Sequence, residues 1–182
     1  EDLFKECPNH VTLNGYFQSE KYFKNIEKEI REDFSFKENV FYFSKNKIKN
    51  IGNPIALHVR RGDYLKFSLD HPLCTKEYYK RALSEFDSDR KVIIFSDDPI
   101  WCKDNFREDR FIISDTNDNV IDLCTMSLCN DFIIANSSYS WWGSWLSKNK
   151  GKKVIAPKNW FGEGYTKKLN VSDLYCPNWK II

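Results

Sequence analysis

Long hydrophobic runs are missing from this 182-residue chain. Every apolar stretch falls far short of the roughly 18 residues that a spanning helix needs, and no basic segment leads into an apolar one at the start. The expectation is therefore a chain without a membrane anchor. Excess charge is missing too, since 28 Lys and Arg stand against 26 Asp and Glu for a net of +2. A balance this even gives no basic field, so nucleic acid is not expected as a partner and any anion must be held by a local site. The six cysteines form no CxxC and no paired Cys/His spacing, which argues against zinc and against a disulfide framework. Cys7, Cys74, Cys102, Cys124, Cys129 and Cys176 instead read as reduced, mostly buried small hydrophobes. There is no GKS or GKT and no GxGxxG, which removes the main support for ATP hydrolysis and for hydride transfer. Internal repeats and low-complexity segments are absent as well.

What is present is material for a core: 41% of the chain is hydrophobic and 16% of the chain is aromatic. At this length roughly 70% of the unfolded surface can be buried, which excludes disorder and fits one domain or slightly more. Residues 19–34 carry Tyr22, Phe23, Ile26 and Ile30 at helical spacing behind Ser19 as N-cap. Residues 37–53 form a Lys/Asn-rich helix or linker ending in the turn signal Gly52-Asn53-Pro54. Short apolar runs then recur at 55–59, 92–95, 111–113, 132–135 and 154–156, the pattern of parallel strands buried on both faces. Helical patterns separate them at 76–86, 99–106, 118–129 and 138–148. The alternation predicts βαβ units and an α/β fold, a doubly wound, Rossmann-like parallel sheet. Ligands of such sheets bind outside the carboxyl ends of the strands, so the polar residues just after each strand are the site candidates.

The first strand runs out through His58-Val59-Arg60-Arg61-Gly62-Asp63-Tyr64. Alternation places His58 and Arg60 on one side of the sheet and Arg61 on the other. A guanidinium fork there suits a phosphate or pyrophosphate, with Asp63 as an acceptor that orients it. A structural Arg–Asp pair beside a satisfied core histidine accounts for the same residues. The second strand ends in Ser96-Asp97-Asp98-Pro99, where Asp98 suffices as a helix cap and Asp97 is left to accept from donors of a ligand. Two adjacent carboxylates without further ligands are a weak metal signal, so no metal is expected. The fourth strand empties into Asn136-Ser137-Ser138-Tyr139-Ser140-Trp141-Trp142-Gly143, hydroxyls that open a helix and suit a phosphate at its N-terminus. The tryptophans read as core rather than as stacking partners for a ligand.

Taken together, His-Val-Arg-Arg-Gly-Asp-Tyr, Phe-Ser-Asp-Asp and Ile-Ala-Asn-Ser-Ser-Tyr-Ser-Trp-Trp-Gly resemble, in order, the motifs of the α-1,2-fucosyltransferases of glycosyltransferase family 11. The resemblance covers residues 14–157, including Gly15-Tyr16-Phe17-Gln18 and Pro157, and extends to Trp160. It implies an inverting, metal-independent enzyme of GT-B-like, two-lobed architecture, without a cofactor. Such an enzyme moves L-fucose from GDP-fucose to the 2-hydroxyl of a galactose in a glycan acceptor. By the same resemblance Arg60 neutralises the departing diphosphate, with His58 and Arg61 in support and Asp63 as the local candidate for the base. Ser96 and Asp97 lie at the nucleotide, Asp97 near the guanine, while Asn136, Ser137, Ser138 and Ser140 hold the phosphate end. Residues 1–53 are then a helical lead-in from an acceptor-binding region, 54–160 the donor-binding domain, and 161–182 a tail packing back on it. The start at Glu1 reads like the middle of a longer chain. Two readings stay open beside this one: a non-catalytic nucleotide-sugar or glycan-binding fragment, and a fucosyltransferase of other linkage, α-1,6 or protein O-linked. With no spanning run, the expected location is cytoplasmic, possible peripheral contact with a membrane included, or the Golgi lumen for a truncated eukaryotic chain.

Overall fold

The computed structural model describes residues 10, 12, 18–166 and 169–182. Cys7 and the Gly15-Tyr16-Phe17 part of the first motif lie outside the described residues. Six parallel strands form one sheet in the order β3-β2-β1-β4-β5-β6: β1 Ile55–Val59, β2 Val92–Ser96, β3 Phe111–Ile113, β4 Asp131–Ile133, β5 Val154–Ala156 and β6 Lys180–Ile181. Five of them occupy the expected apolar runs. The sixth comes from the tail, which pairs Lys180 with Ile155 and Ile181 with Ala156 at the edge of the sheet. A strand of two residues has no alternation to read, so nothing in the sequence marked it.

The helices are α1 Glu27–Asp33, α2 Glu38–Ile48, α3 Lys76–Leu83, α4 Pro99–Asn105, α5 Asn119–Ser127, α6 Ser138–Leu146 and α7 Glu163–Thr166. Side chains alternate across β1, and the two faces bury different clusters. Ala56, Ile93, Phe95, Phe132 and Ile134 face α5 and α6 through Met126, Trp141 and Trp145. Ile55, Leu57, Val59, Val92 and Ile94 face α3 and α4 through Tyr78, Tyr79, Ala82, Leu83 and Cys102. The sheet is thus wound on both sides, as an α/β fold requires. No helix among the described residues is long and apolar enough to cross a membrane.

The stretch 19–34 departs from a single helix. Ser19 does cap it, accepting from the Lys21 amide, but 3-10 turns at Glu20–Tyr22 and Lys24–Ile26 precede α1. A 3-10 turn advances 120° per residue rather than 100°, so the expected apolar stripe divides. Phe23 and Ile30 pack on the core, whereas Tyr22 and Ile26 are about half exposed, at 48% and 49%. Trp142 lies between the rings of Phe23 and Phe34, with centroids at 5.5 and 4.8 Å and nearly parallel planes, and so ties this segment to α6. Trp141 and Trp145 are buried and the Trp141 indole N–H donates to Leu174 O at 2.7 Å, so the tryptophans are core. The described cysteines, Cys74, Cys102, Cys124, Cys129 and Cys176, are free thiols.

Candidate functional site

The chain leaves β1 toward α3 on one face and leaves β4 toward α6 on the other, and β1 and β4 are neighbours paired in parallel. Their connections diverge from adjacent carboxyl ends, which opens a crevice where ligands of open α/β sheets bind. Arg60 follows β1 at this edge and Ser137-Ser138 follow β4. The Tyr64 hydroxyl donates to Asn136 O at 3.0 Å and joins the two exits.

Both arginines are held by carboxylates. Arg60 reaches Asp63 Oδ1 through one terminal nitrogen at 2.7 Å and Asp97 Oδ2 through the other at 2.9 Å. Its guanidinium lies over the Tyr64 ring, 5.4 Å from the centroid, and a third of the side chain remains exposed. Arg61 is more deeply committed: its amide donates to Asp97 Oδ1, its Nε donates to Asp98 Oδ2 at 3.0 Å, and its guanidinium stacks 4.3 Å from the Trp101 ring. Asp98 also caps α4 by accepting from the Trp101 amide, and these contacts lower its pKa, the amide bond first. Asp97 therefore faces arginines rather than an open acceptor position. A Cβ at Gly62 would stand 2.5 Å from Asp97 Oδ2, so a side chain there pushes on the carboxylate that holds the arginines.

His58 is 6% exposed and packs against Tyr139 of α6, with ring centroids 5.4 Å apart. Burial, assisted by the Arg60 charge, pushes its pKa down from 6.5 to about 3. The ring is neutral at physiological pH, and its Nδ1 is buried without a hydrogen-bond partner. A buried polar atom of this kind normally finds an acceptor or donor.

Helix α6 starts just after β4 without a side-chain cap. Thr75, Asp98 and Asp118 cap α3, α4 and α5 through their side chains, but Ser137 makes no side-chain cap bond to α6. First-turn amides lack intrahelical acceptors and carry the positive end of the helix dipole, which suits an anion. Ser138 is exposed there. Ser140 is fully buried and its hydroxyl donates back to Ser137 O and Ala135 O, while Ser137 is 9% exposed. The Asn136 amide is spent on Pro72 O and Trp160 O, at 2.9 and 3.0 Å. The Ser96 hydroxyl accepts from the Asp98 amide at 2.9 Å.

The expected site residues thus follow the carboxyl ends of β1, β2 and β4, with Arg60, Ser138 and Asp63 the most accessible and Asn136, Ser140 and Arg61 turned into the protein. Sequence reasoning passed over Tyr64, His71 and Trp101, which hold the arginines and loops. Tyr64 directly follows the Arg-Gly-Asp turn, and that adjacency was the available signal. Separately, a cleft of about 470 Å³ lies between α3 and α4, lined by Tyr79, Trp101, Phe106 and Arg110, on the flank of the sheet rather than at the crevice. Among the described residues no group of His, Cys, Asp or Glu is arranged to hold a metal ion.

The profile of Glycosyl transferase family 11 matches residues 2–182. Among curated relatives, an alpha-1,2-colitosyltransferase of Escherichia coli is 35% identical over 83% of this chain and 56% of its own length. The O-antigen biosynthesis glycosyltransferase WbnK of the same organism is 33% identical over 79% of this chain and 51% of its own. A galactoside 2-alpha-L-fucosyltransferase of Caenorhabditis elegans is 26% identical over 96% of this chain and 54% of its own. The chain spans about half the length of the curated relatives it matches. With a parallel doubly wound sheet, paired arginines at its switch point and a profile match across nearly every residue, the chain belongs to glycosyl transferase family 11.

Proposed function

We propose that this chain binds a GDP-linked 6-deoxy sugar, GDP-fucose, and serves an inverting transfer of L-fucose to the 2-hydroxyl of a galactose in a glycan. The observation that supports the reading is the switch point itself: the partly exposed Arg60 guanidinium follows β1, and the start of α6, without a side-chain cap, follows the neighbouring strand β4. In the transfer the acceptor oxygen forms a bond to the anomeric carbon, the bond from that carbon to the diphosphate breaks, and GDP departs with the electron pair. Arg60 and the α6 amides, with the Ser138 hydroxyl, stand where that charge develops and stabilise it without reorganisation. Approach from the face opposite the leaving group inverts the anomeric centre. His58, neutral and with a free Nδ1, supports the nucleotide from the sheet floor. Arg61, Ser96 and Asp97 fix the geometry, Asp97 by holding Arg60 in place. Asp63 is the proposed proton acceptor, on the rim and within reach of the crevice.

Fixed guanidinium charge does here what a divalent cation does elsewhere, so we propose a reaction without metal or other cofactor. Residues 54–160 form the donor-binding unit in this account, 1–53 lead in from an acceptor-binding region, and 161–182 pack back on the unit. The bacterial relatives favour a cytoplasmic site of action. The colitosyltransferase relative supports a second donor, a GDP-linked colitose, at the same crevice. The test is a transfer assay with this chain, GDP-fucose and a β-galactoside, in chelator and in magnesium, with linkage analysis of the product. An α-1,2 product formed equally well under both conditions supports the reading. Another linkage or dependence on the metal overturns it.

A further inference from the structure

Three loops meet at the crevice, and two residues lock them together. Tyr64, in the 3-10 turn Asp63–Leu65 after β1, donates its hydroxyl to Asn136 O in the loop after β4. Its ring stacks on His71, with centroids 4.8 Å apart and planes 19° from parallel, and His71 in turn meets Phe161 and Tyr165 at 5.9 and 5.8 Å. The Asn136 side chain donates to Pro72 O and Trp160 O, and the Cys74 thiol lies 3.5 Å from its Oδ1. The loop after β1 closes the ring by its backbone: Asp70 O and Leu69 O accept from the amides of Gly162 and Gly164. The exits of β1, β4 and β5 are therefore one connected body. The Arg60 guanidinium lies over the Tyr64 ring, 5.4 Å from its centroid.

From this geometry we propose that Tyr64 is a positioning residue for the donor diphosphate, acting through Arg60, and that Asn136 sets the span between Arg60 and the start of α6. This assignment deepens the donor-site reading and rests on it. Asn136 then contributes through the loops it ties, not by touching the nucleotide. Carboxylates of Asp63 and Asp97 hold the two terminal nitrogens of the guanidinium, and the Tyr64 ring packs against it and limits its motion. The hydroxyl bond to Asn136 O couples that ring to the amides across the crevice. Burial holds the Tyr64 phenol above its ordinary pKa, so it stays a donor.

Calorimetry of the whole chain with GDP and with guanosine tests the assignment in the wild type, Tyr64→Phe, Tyr64→Leu, Arg60→Ala and the double variant Arg60→Ala/Tyr64→Leu. Tyr64→Phe keeps the ring and loses one hydroxyl, so it folds, and it is expected to weaken GDP about 3- to 10-fold, the worth of one hydrogen bond. Tyr64→Leu also loses the ring under the cation and is expected to weaken GDP roughly 10- to 30-fold. Guanosine, lacking phosphates, is expected to change less than about twofold in both. In the Arg60→Ala background the further loss from Tyr64→Leu is expected to shrink below about twofold, since coupled residues are not additive. Equal losses for GDP and guanosine, an undiminished loss in the Arg60→Ala background, or no loss at all overturns the positioning role while leaving the donor site standing. A wild type that binds no GDP overturns the donor-site reading itself, and the positioning role with it.

Discussion

Replacing His58 by Gln removes a titrating group from the sheet floor, and the consequence for stability can be worked out from its surroundings. His58 is 6% exposed and its pKa falls from 6.5 to about 3, chiefly through burial and secondarily through Arg60. The unfolded chain binds the proton below pH 6.5 and the folded chain does not until pH 3. Between those values the unfolded state carries more protons, so stability rises with pH, at up to about 1.4 kcal/mol per pH unit. The contribution is intact above 6.5 and is lost as pH falls through the window toward 3. Linkage arithmetic puts the loss from this residue between pH 7 and pH 4.5 at about 2.5 kcal/mol. The assay is urea unfolding followed by tryptophan fluorescence at pH 7, 5.5 and 4.5 for both proteins. Carboxylates titrate in both, so the quantity of interest is the difference between the two curves. The wild type is expected to lose about 2.5 kcal/mol more than His58→Gln over that range. Parallel pH dependences would refute the argument, because they would mean that His58 gains its proton in the folded state as readily as in the unfolded one.

Other substitutions separate binding from stability. Gly62→Ala puts a Cβ against Asp97 and is expected to weaken GDP about tenfold by displacing the carboxylate from Arg60, as calorimetry would show. Ser138→Asp should act in opposite directions: the acid at the first turn of α6 stabilises the helix by about 0.5 kcal/mol, while its charge in the crevice abolishes GDP binding. Thermal melts and titrations on the same sample check both signs. Trp142→Ala removes the ring held between Phe23 and Phe34 and is expected to cost about 2–3 kcal/mol in urea unfolding, with GDP affinity unchanged below the transition.

Which parts of this molecule were legible follows from how each residue is constrained. Parallel strands covered on both faces must be short apolar runs, and Ile55, Val92, Phe111, Phe132 and Val154 all announced theirs. The tail strand owes its existence to pairing with β5 and to Lys180 meeting Glu85, neither of which leaves a local pattern. At the site, residue types showed where a crevice would lie but not which atoms would face it. Ser140 and Ser144 stand four residues apart on the buried side of α6, beside Trp141 and Trp145, and that spacing was a usable sign that Ser140 points inward. Asn136 could be placed after β4 but not given its partners, because Pro72 and Trp160 reach it only through the fold. The same holds for Asp97, whose proximity to Arg60 depends on the pairing of Val59 with Ser96.

The claim on which the rest depends is that the β1/β4 crevice is a GDP-sugar donor site built on Arg60. Its most direct test is titration calorimetry of this chain with GDP and GDP-fucose against UDP and GTP, with Arg60→Ala as the paired variant and chelator present throughout. The account predicts that GDP and GDP-fucose bind at one site per chain in chelator, at least about tenfold tighter than UDP. It also predicts that Arg60→Ala loses about ten- to a hundredfold of that affinity, the worth of a charge-assisted bond to phosphate. Equal binding of all four nucleotides, absence of binding, or an Arg60→Ala variant that binds GDP like the wild type would contradict it.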